Sequence, residues 1–418
     1  MLENKTERRF YMSNLLVAQS GGPTAAINAT LVGVMQAALL NGKVEKVFGA
    51  VNGIEGVLKE NFIDLIEEVK DTATMEALAN TPSAALGSCR YKLKNPDESS
   101  KEYDLIIDVL HKHNIGYFVY IGGNDSMDTV LKLSQYCEKK GVTDIKVMGA
   151  PKTIDNDLPE TDHCPGFGSA AKYIATTFSE LERDLSVYQT GGVLIVEVMG
   201  RNAGWLTASA ALSRLNGENG PDLIYLCERP FDMQSFLADT ERILKEKGRV
   251  IVAVSEGVKN KEDKYLSDTV SSGKEDVFGH KYIAGAAKVM EDAVRDNLGC
   301  KVRSIELNLM QRCAAHVGSL TDINESKMLG MKAVQCATEG ETGKMAAIKR
   351  VSSIPYEVEF TSVDVSLVAN REKVVPDHWI NTTGNDVTED MMNYLKPLII
   401  GETTPIIENG IPKHIILK

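Results

Sequence analysis

The sequence is poor in the features that mark several common protein classes. Its seven cysteines, Cys89, Cys137, Cys164, Cys227, Cys300, Cys313 and Cys336, include no CxxC pair and stand at no spacing from histidine that suits zinc. That pattern speaks against a disulfide scaffold or a zinc module and for a reduced, cytoplasmic setting. The N-terminal Met1–Phe10 carries Lys5, Arg8 and Arg9, but the apolar stretch behind it, Leu15 to Ala18, is short and runs into a Ser-Gly-Gly turn, so neither a signal peptide nor a membrane span is expected. Basic charge is also scarce. With 46 Lys and Arg against 58 Asp and Glu, the formal net charge is -12, and the basic stripe of a nucleic-acid surface is missing. No low-complexity linker and no internal repeat is visible.

What is present is the balance of a folded globular protein, 43% hydrophobic and 25% charged. At 418 residues the chain exceeds the size at which one core keeps growing, so two domains are expected. Short apolar runs recur, each ending in glycine or a polar turn: Leu15 to Ala18, Tyr117 to Ile121, Val147 to Ala150, Val193 to Val198, Leu223 to Leu226 and Val250 to Val254. Stretches of helical period follow them, among them Ala25 to Leu40, Ser126 to Tyr136, Ser169 to Leu181, Leu206 to Leu215, Ser235 to Lys245 and Tyr282 to Val294. Apolar strands alternating with helices predict an α/β fold, doubly wound, with largely parallel sheets in at least two lobes. Lys259 to Lys274 reads as an exposed loop, and the text after about Ser366 is irregular.

Ligands of such sheets bind beyond the carboxyl ends of the strands. Three turns there carry candidate chemistry. Gln19-Ser20-Gly21-Gly22-Pro23-Thr24 offers bare amides before a helix, suited to a phosphate, although a Gly-Gly turn also serves as punctuation. Ile121-Gly122-Gly123-Asn124-Asp125-Ser126 adds oxygen ligands of the kind Mg²⁺ takes, with helix capping by Asp125 as the alternative. Pro151-Lys152-Thr153-Ile154-Asp155-Asn156-Asp157 puts an ammonium and two carboxylates in one turn, a point charge for a phosphoryl group beside a proton acceptor. Glu197 to Arg201, Ser255-Glu256-Gly257, Arg303 and Arg312 add cations that clamp phosphates and a carboxylate for sugar hydroxyls.

In this order, SGGPTAAINA, LGSCRY, IGGNDS, PKTIDND, GFGSAA, VEVMGRNAG, SEG and MQR resemble the phosphofructokinase family from about residue 14 to about residue 330. The resemblance implies two Rossmann-like lobes with the active site in the cleft between them. Residues 1–165 with about 311–365 would form the donor lobe, and about 166–310 with about 366–418 the fructose 6-phosphate lobe with a C-terminal extension. It implies Asp155 as catalytic base, with Thr153 and Ile154 beside the substrate and Asp157 supporting the turn. Gly21, Gly22 and Gly123 would lie at the donor phosphates with Asp125 and Lys152, and Arg90 would reach the phosphoryl group in flight. Met199, Gly200, Arg201 and Arg312 would hold the acceptor, Glu256 its hydroxyls, and Arg303 would enter from a neighbouring subunit of a homo-oligomer. The implied cofactor is Mg²⁺, at a turn where the family usually has Asp and this chain has Asn124. Gly192 replaces a further acceptor arginine, and Leu309 a histidine. Asp125 and Lys152 are the residues of the family's pyrophosphate branch, whereas its ATP branch has glycine at both positions. The expected activity is therefore reversible phosphorylation of fructose 6-phosphate by pyrophosphate, with ATP as the alternative donor. A nicotinamide oxidoreductase lacks its glycine fingerprint here. A sugar-phosphate sensor without chemistry would have lost Asp155 or Lys152, and both are present.

Overall fold

The computed structural model describes residues 12–188, 191–217, 219–269 and 285–417. Within them the chain builds two large sheets and a small antiparallel ribbon, Ile407–Glu408 with Ile411–Pro412. In the first, the strands lie in the order Tyr356–Asp364, Lys344–Ser353, Lys146–Pro151, Ile115–Gly122, Ser13–Gln19, Val44–Ala50 and Phe62–Asp64. The five inner strands are parallel and each edge is an antiparallel addition. The second sheet runs Leu223–Tyr225, Arg249–Ser255, Gly192–Val198, Val302–Glu306, all parallel. The expected α/β class with two largely parallel sheets is what forms.

The central strands read as continuous apolar text because both of their faces are covered. Leu15 and Val17 face one core of the first sheet and Leu16 and Ala18 the other, and all four are fully buried. Ile27–Leu40 and Leu320–Glu339 pack together on the first of these faces. They approach closely because each brings a glycine to the contact: a Cβ on Gly33 would stand 1.9 Å from the Lys327 carbonyl oxygen, and one on Gly330 2.1 Å from that of Thr30. In the second sheet, Phe167–Ser186 covers one face while Met233–Lys247 and Ala286–Leu298 cover the other.

Some expected boundaries shift. The expected helix Ser126–Tyr136 is Asn124–Lys140, and Leu206–Leu215 divides into the α-helix Trp205–Ser209 and the 3₁₀ turn Ala210–Asn216. Residues 270–274 of the expected loop, 282–284 of the expected helix, and Met1–Phe10 lie outside the described residues. The text after Ser366, expected with the fructose 6-phosphate lobe, is divided between the two cores. Val375, Ile380, Met391 and Leu395 join the second sheet, whereas Val368, Ala369, Ile415 and Leu417 pack against the first.

Candidate active site

A cleft of about 630 Å³ opens between the two sheets, at the carboxyl ends of their strands. It is walled by the three glycine-bearing turns of the first sheet and by the Met199–Ala203 and Glu256 ends of the second. Each turn begins where its strand stops pairing, so strand register fixes where the functional side chains emerge.

The donor turn is built around Gly21, which takes a left-handed φ of +76°. Its carbonyl accepts a hydrogen bond from Ser88 Oγ at 2.6 Å. A Cβ at Gly21 would lie 3.1 Å from Lys152 Nζ, and one at Gly22 3.3 Å from Arg312 Nη1. The two glycines therefore leave just the room in which an ammonium and a guanidinium flank the bare backbone, the arrangement that receives a phosphate. Ser20 Oγ and Ser126 Oγ meet at 2.5 Å and join this turn to the Gly123–Ser126 turn beside it. There Asp125 is exposed and pairs with Lys92 at 3.2 Å.

Lys152 is 2% exposed. Burial pulls its ammonium down to about 8, against the opposing pull of Asp155 and Asp157. Burial likewise raises Asp155 above the usual carboxylate range, with Lys152, Arg201 and Arg312 pulling the other way. Asp157 is pushed up to about 7 by burial and by Asp155, and one of its carboxylate oxygens is buried with no partner among the described residues. A carboxylate made more basic in this way is suited to taking a proton from a sugar hydroxyl.

Opposite, Gly200 N–H donates to Glu256 Oε1 at 3.3 Å, and the Glu256 carboxyl is raised to about 7, chiefly by burial and then by Asp155. Met199 N–H donates to Gln311 Oε1 at 3.2 Å. Arg201 faces the cleft with a buried Nε that has no partner among the described residues. Arg312 approaches Arg90, so two cations converge beside the donor turn.

Known proteins match the chain over nearly its whole length. The family model described as phosphofructokinase matches residues 14–337. The chain belongs to the phosphofructokinase family. It is 42% identical over 403 residues to the pyrophosphate--fructose 6-phosphate 1-phosphotransferase of Halomonas elongata, covering 96% of this chain and 95% of that one. To the protein of the same name from Xanthomonas campestris pv. campestris it is 41% identical over 409 residues, 97% of this chain and 96% of the other. A solved structure, the pyrophosphate-dependent phosphofructokinase of Nitrosospira multiformis, superposes with a TM-score of 0.88 at 39% identity, covering 97% of this chain and 96% of that one.

Of the residues that the family resemblance singled out, Gly21, Gly22, Arg90, Gly123, Asn124, Asp125, Lys152, Thr153, Ile154, Asp155, Met199, Arg201, Glu256 and Arg312 line the cleft. Arg303 does not. It is exposed on the edge strand of the second sheet, opposite Leu194. Four residues separate Leu194 from the cleft end of its strand, roughly 13 Å at the usual rise. Gly192 starts that same strand, at the end away from the cleft. Asn124, which the resemblance placed at the metal, is also bound within the chain. Its Oδ1 accepts the Asn370 N–H at 2.6 Å and its Nδ2 donates to the Arg371 carbonyl, so both ends of the carboxamide are bound to backbone. Asn370, Glu372 and Asn202 line the cleft without having been expected there.

Behind the turn that carries Lys152, Asp155 and Asp157 lies a buried network that the sequence did not suggest. Asn156, with a left-handed φ of +55°, donates through Nδ2 to the Tyr394 hydroxyl at 2.9 Å, which in turn donates to the Asp162 carbonyl at 2.7 Å. His163 sits between Asp162 Oδ2 at 2.8 Å and Glu325 Oε2 at 2.6 Å, and Arg350 Nη2 donates to the same Asp162 oxygen at 2.9 Å. Burial alone would lower the imidazolium, but hydrogen bonds to the two carboxylates push it up to about 9. The folded protein thus holds a proton that the unfolded chain releases near the ordinary histidine value. This stabilisation is complete below about pH 6.5 and is lost as the pH rises through about 9. His163→Gln should cost about 3–5 kcal/mol at pH 6, the scale of a broken buried ion pair. The difference from wild type in urea midpoint should narrow toward pH 10. A pH-independent difference would show that His163 is held neutral.

Proposed function

We propose that the protein transfers a phosphoryl group from pyrophosphate to the 1-hydroxyl of fructose 6-phosphate, reversibly. The observation that carries this reading is the pair of charges at the donor turn, with the Lys152 ammonium packed against Gly21 and the Asp125 carboxylate at the adjacent turn. A nucleotide's α-phosphate would meet that carboxylate, whereas pyrophosphate ends before it. The names of the relatives at about 40% identity agree with this donor.

In the forward direction Asp155 takes the proton of the 1-hydroxyl as its oxygen attacks the terminal phosphorus. The bridging P–O bond breaks, and its electron pair leaves with inorganic phosphate. Lys152 and the amides at Gly21 and Gly22 meet the charge that builds on the leaving phosphate, while Arg90 and Arg312 meet the equatorial oxygens. Arg201, Met199 and Glu256 orient the acceptor. Thr153 Oγ1 accepts the Asp155 N–H at 3.1 Å and holds the base in place.

A divalent metal, Mg²⁺ in our reading, neutralises phosphate oxygens when bound. Among the described residues no cluster of three His, Cys, Asp or Glu forms a cage. A hard cation that keeps most of its shell as water and phosphate needs none. Asp157, with its unpartnered buried oxygen, and Asp125 across the cleft would supply the one or two carboxylate oxygens such an ion takes, leaving Asp155 free as the base.

The position of Arg303, far from its own cleft, supports a site shared between subunits of a homo-oligomer. No helix among the described residues is long and apolar enough to cross a membrane, and we place the enzyme in the cytoplasm, acting on small molecules.

A coupled assay on fructose 6-phosphate decides the donor: activity is expected with pyrophosphate and little with ATP at equal concentration, and a preference for ATP would overturn the reading. Asp155→Asn should lower kcat by roughly 10² to 10⁴ with little change in acceptor binding, the scale of a positioned base. Near-normal turnover would remove Asp155 from that role. Arg303→Ala should raise the KM for the acceptor about tenfold or more and leave that for the donor nearly unchanged, as expected for a lost charged contact to phosphate. Mixed with Asp155→Asn in verified hetero-oligomers it should restore some activity. No restoration would exclude the shared site.

A further inference from the structure

The irregular text after Ser366 places one short segment along the cleft, with Asn370 and Glu372 among its lining residues. Asn370 turns with a left-handed φ of +60° and is fixed at three points of the donor side: its N–H to Asn124 Oδ1, its Nδ2 to Asp128 Oδ1 at 2.9 Å, and the next carbonyl, that of Arg371, to Asn124 Nδ2. Lys373 N–H then donates to the Asp157 carbonyl at 2.7 Å, and its buried ammonium donates to the carbonyls of Thr161 at 3.0 Å and Asp162 at 2.9 Å. On the acceptor side, Glu372 Oε1 accepts Asn202 Nδ2 at 2.7 Å, Trp205 Nε1 donates to the Lys373 carbonyl at 2.9 Å, and Val375 N–H donates to Glu228 Oε1 at 2.9 Å. The segment is thus a strap tied to the donor turn, the catalytic turn and the acceptor wall in succession.

We infer that this strap is a second determinant of the donor, setting the length of polyphosphate the cleft accepts, and that Asn124 is the residue that positions it. The inference rests on the pyrophosphate reading and deepens it. Asn124 and Asp128 are one helical turn apart on the same face of Asn124–Lys140, so a segment bound to both lies over the first turn of that helix. Asp125 and Thr129 on the same turn line the cleft, and Asn370 lines it beside them. The cleft beyond Asp125 is therefore closed by Asn370 and by the helix it is bound to. A donor longer than pyrophosphate, extending past the donor turn, runs into the strap even when the Asp125 carboxylate is removed. Replacing the usual Asp by Asn at position 124 matters for this geometry, because only a carboxamide both accepts the Asn370 N–H and donates to the Arg371 carbonyl. A carboxylate would repel that carbonyl.

The test compares four chains: wild type, Asn124→Ala with Asn370→Gly, Asp125→Gly with Lys152→Gly, and all four changes together. Calorimetric binding is measured for methylene-bridged pyrophosphate, tripolyphosphate and the β,γ-methylene analogue of ATP. Loosening the strap alone should improve the affinity for tripolyphosphate relative to methylene-bridged pyrophosphate by about tenfold or more, because the pair removes three hydrogen bonds, both of those at Asn124 and that of Asn370 to the Asp128 carboxylate. The ATP analogue should bind appreciably only to the fourfold variant. If the Asp125→Gly, Lys152→Gly chain binds the ATP analogue as well as the fourfold variant, or if loosening leaves the tripolyphosphate ratio unchanged, the strap does not set donor length. If the wild type binds the ATP analogue as tightly as methylene-bridged pyrophosphate, the donor reading itself fails. Asn124→Asp, which keeps one strap bond and loses the other, replaces the Ala, Gly pair should that chain not fold, and the same two comparisons decide.

Discussion

Everything in the cleft depends on keeping a lysine ammonium charged at 2% exposure, a condition that water would satisfy easily and a protein interior does not. Lys152 meets it only in company. Asp155 and Asp157 counter the desolvation, and the glycine backbone at Gly21 leaves the ammonium its space. The same desolvation acts on the carboxylates with the opposite sign and makes them more basic. One act of burial thus prepares both the cation and the base that the proposed transfer needs, so neither can be exposed without loss to the other.

Holding these groups together requires a turn that cannot relax, and the turn has little local structure of its own. Its rigidity comes from behind. Asn156, Tyr394, Asp162, His163, Glu325 and Arg350 form a hydrogen-bonded chain from the catalytic turn to the helix Leu320–Glu339, the strand Lys344–Ser353 and the helix Glu389–Leu395. A network of this kind stabilises only when each member is satisfied, which makes it sensitive to a single missing proton. The reactive groups thus stand on a scaffold drawn from the last quarter of the sequence as well as from its first half.

This explains what could be read in advance and what could not. Strands such as Val193–Val198 and the glycine turns after them are local patterns, and the residues those turns present, Lys152, Asp155 and Asp125 among them, came with the pattern. The boundary of Asn124–Lys140 and the divided helix after Trp205 were missed by a few residues, as helix ends commonly are. The strap and the network were invisible for a different reason. Asn124 meets Asn370 across 246 positions and Asn156 meets Tyr394 across 238, and neither pair has a periodic signature. Asn124 shows what a motif read position by position leaves out: the turn suggested a ligand, and tertiary contact in addition ties both ends of the carboxamide to backbone.

The net charge of -12 poses a last problem, because both substrates are anions and the field of the whole protein opposes them. The cleft resolves it locally, with Arg90, Arg201, Arg312 and Lys152 all lining it. Before substrate arrives these cations strain against one another and against burial: Arg312 is lowered chiefly by burial and then by Arg90, and Lys152 lies at about 8. An arriving phosphate supplies the charge they lack and raises their proton affinity, so donor binding and protonation of Lys152 favour each other by linkage. Attraction is then confined to the place where a phosphate can be seated, and the acidic exterior, instead of hindering the enzyme, discourages polyanions too large to reach that place.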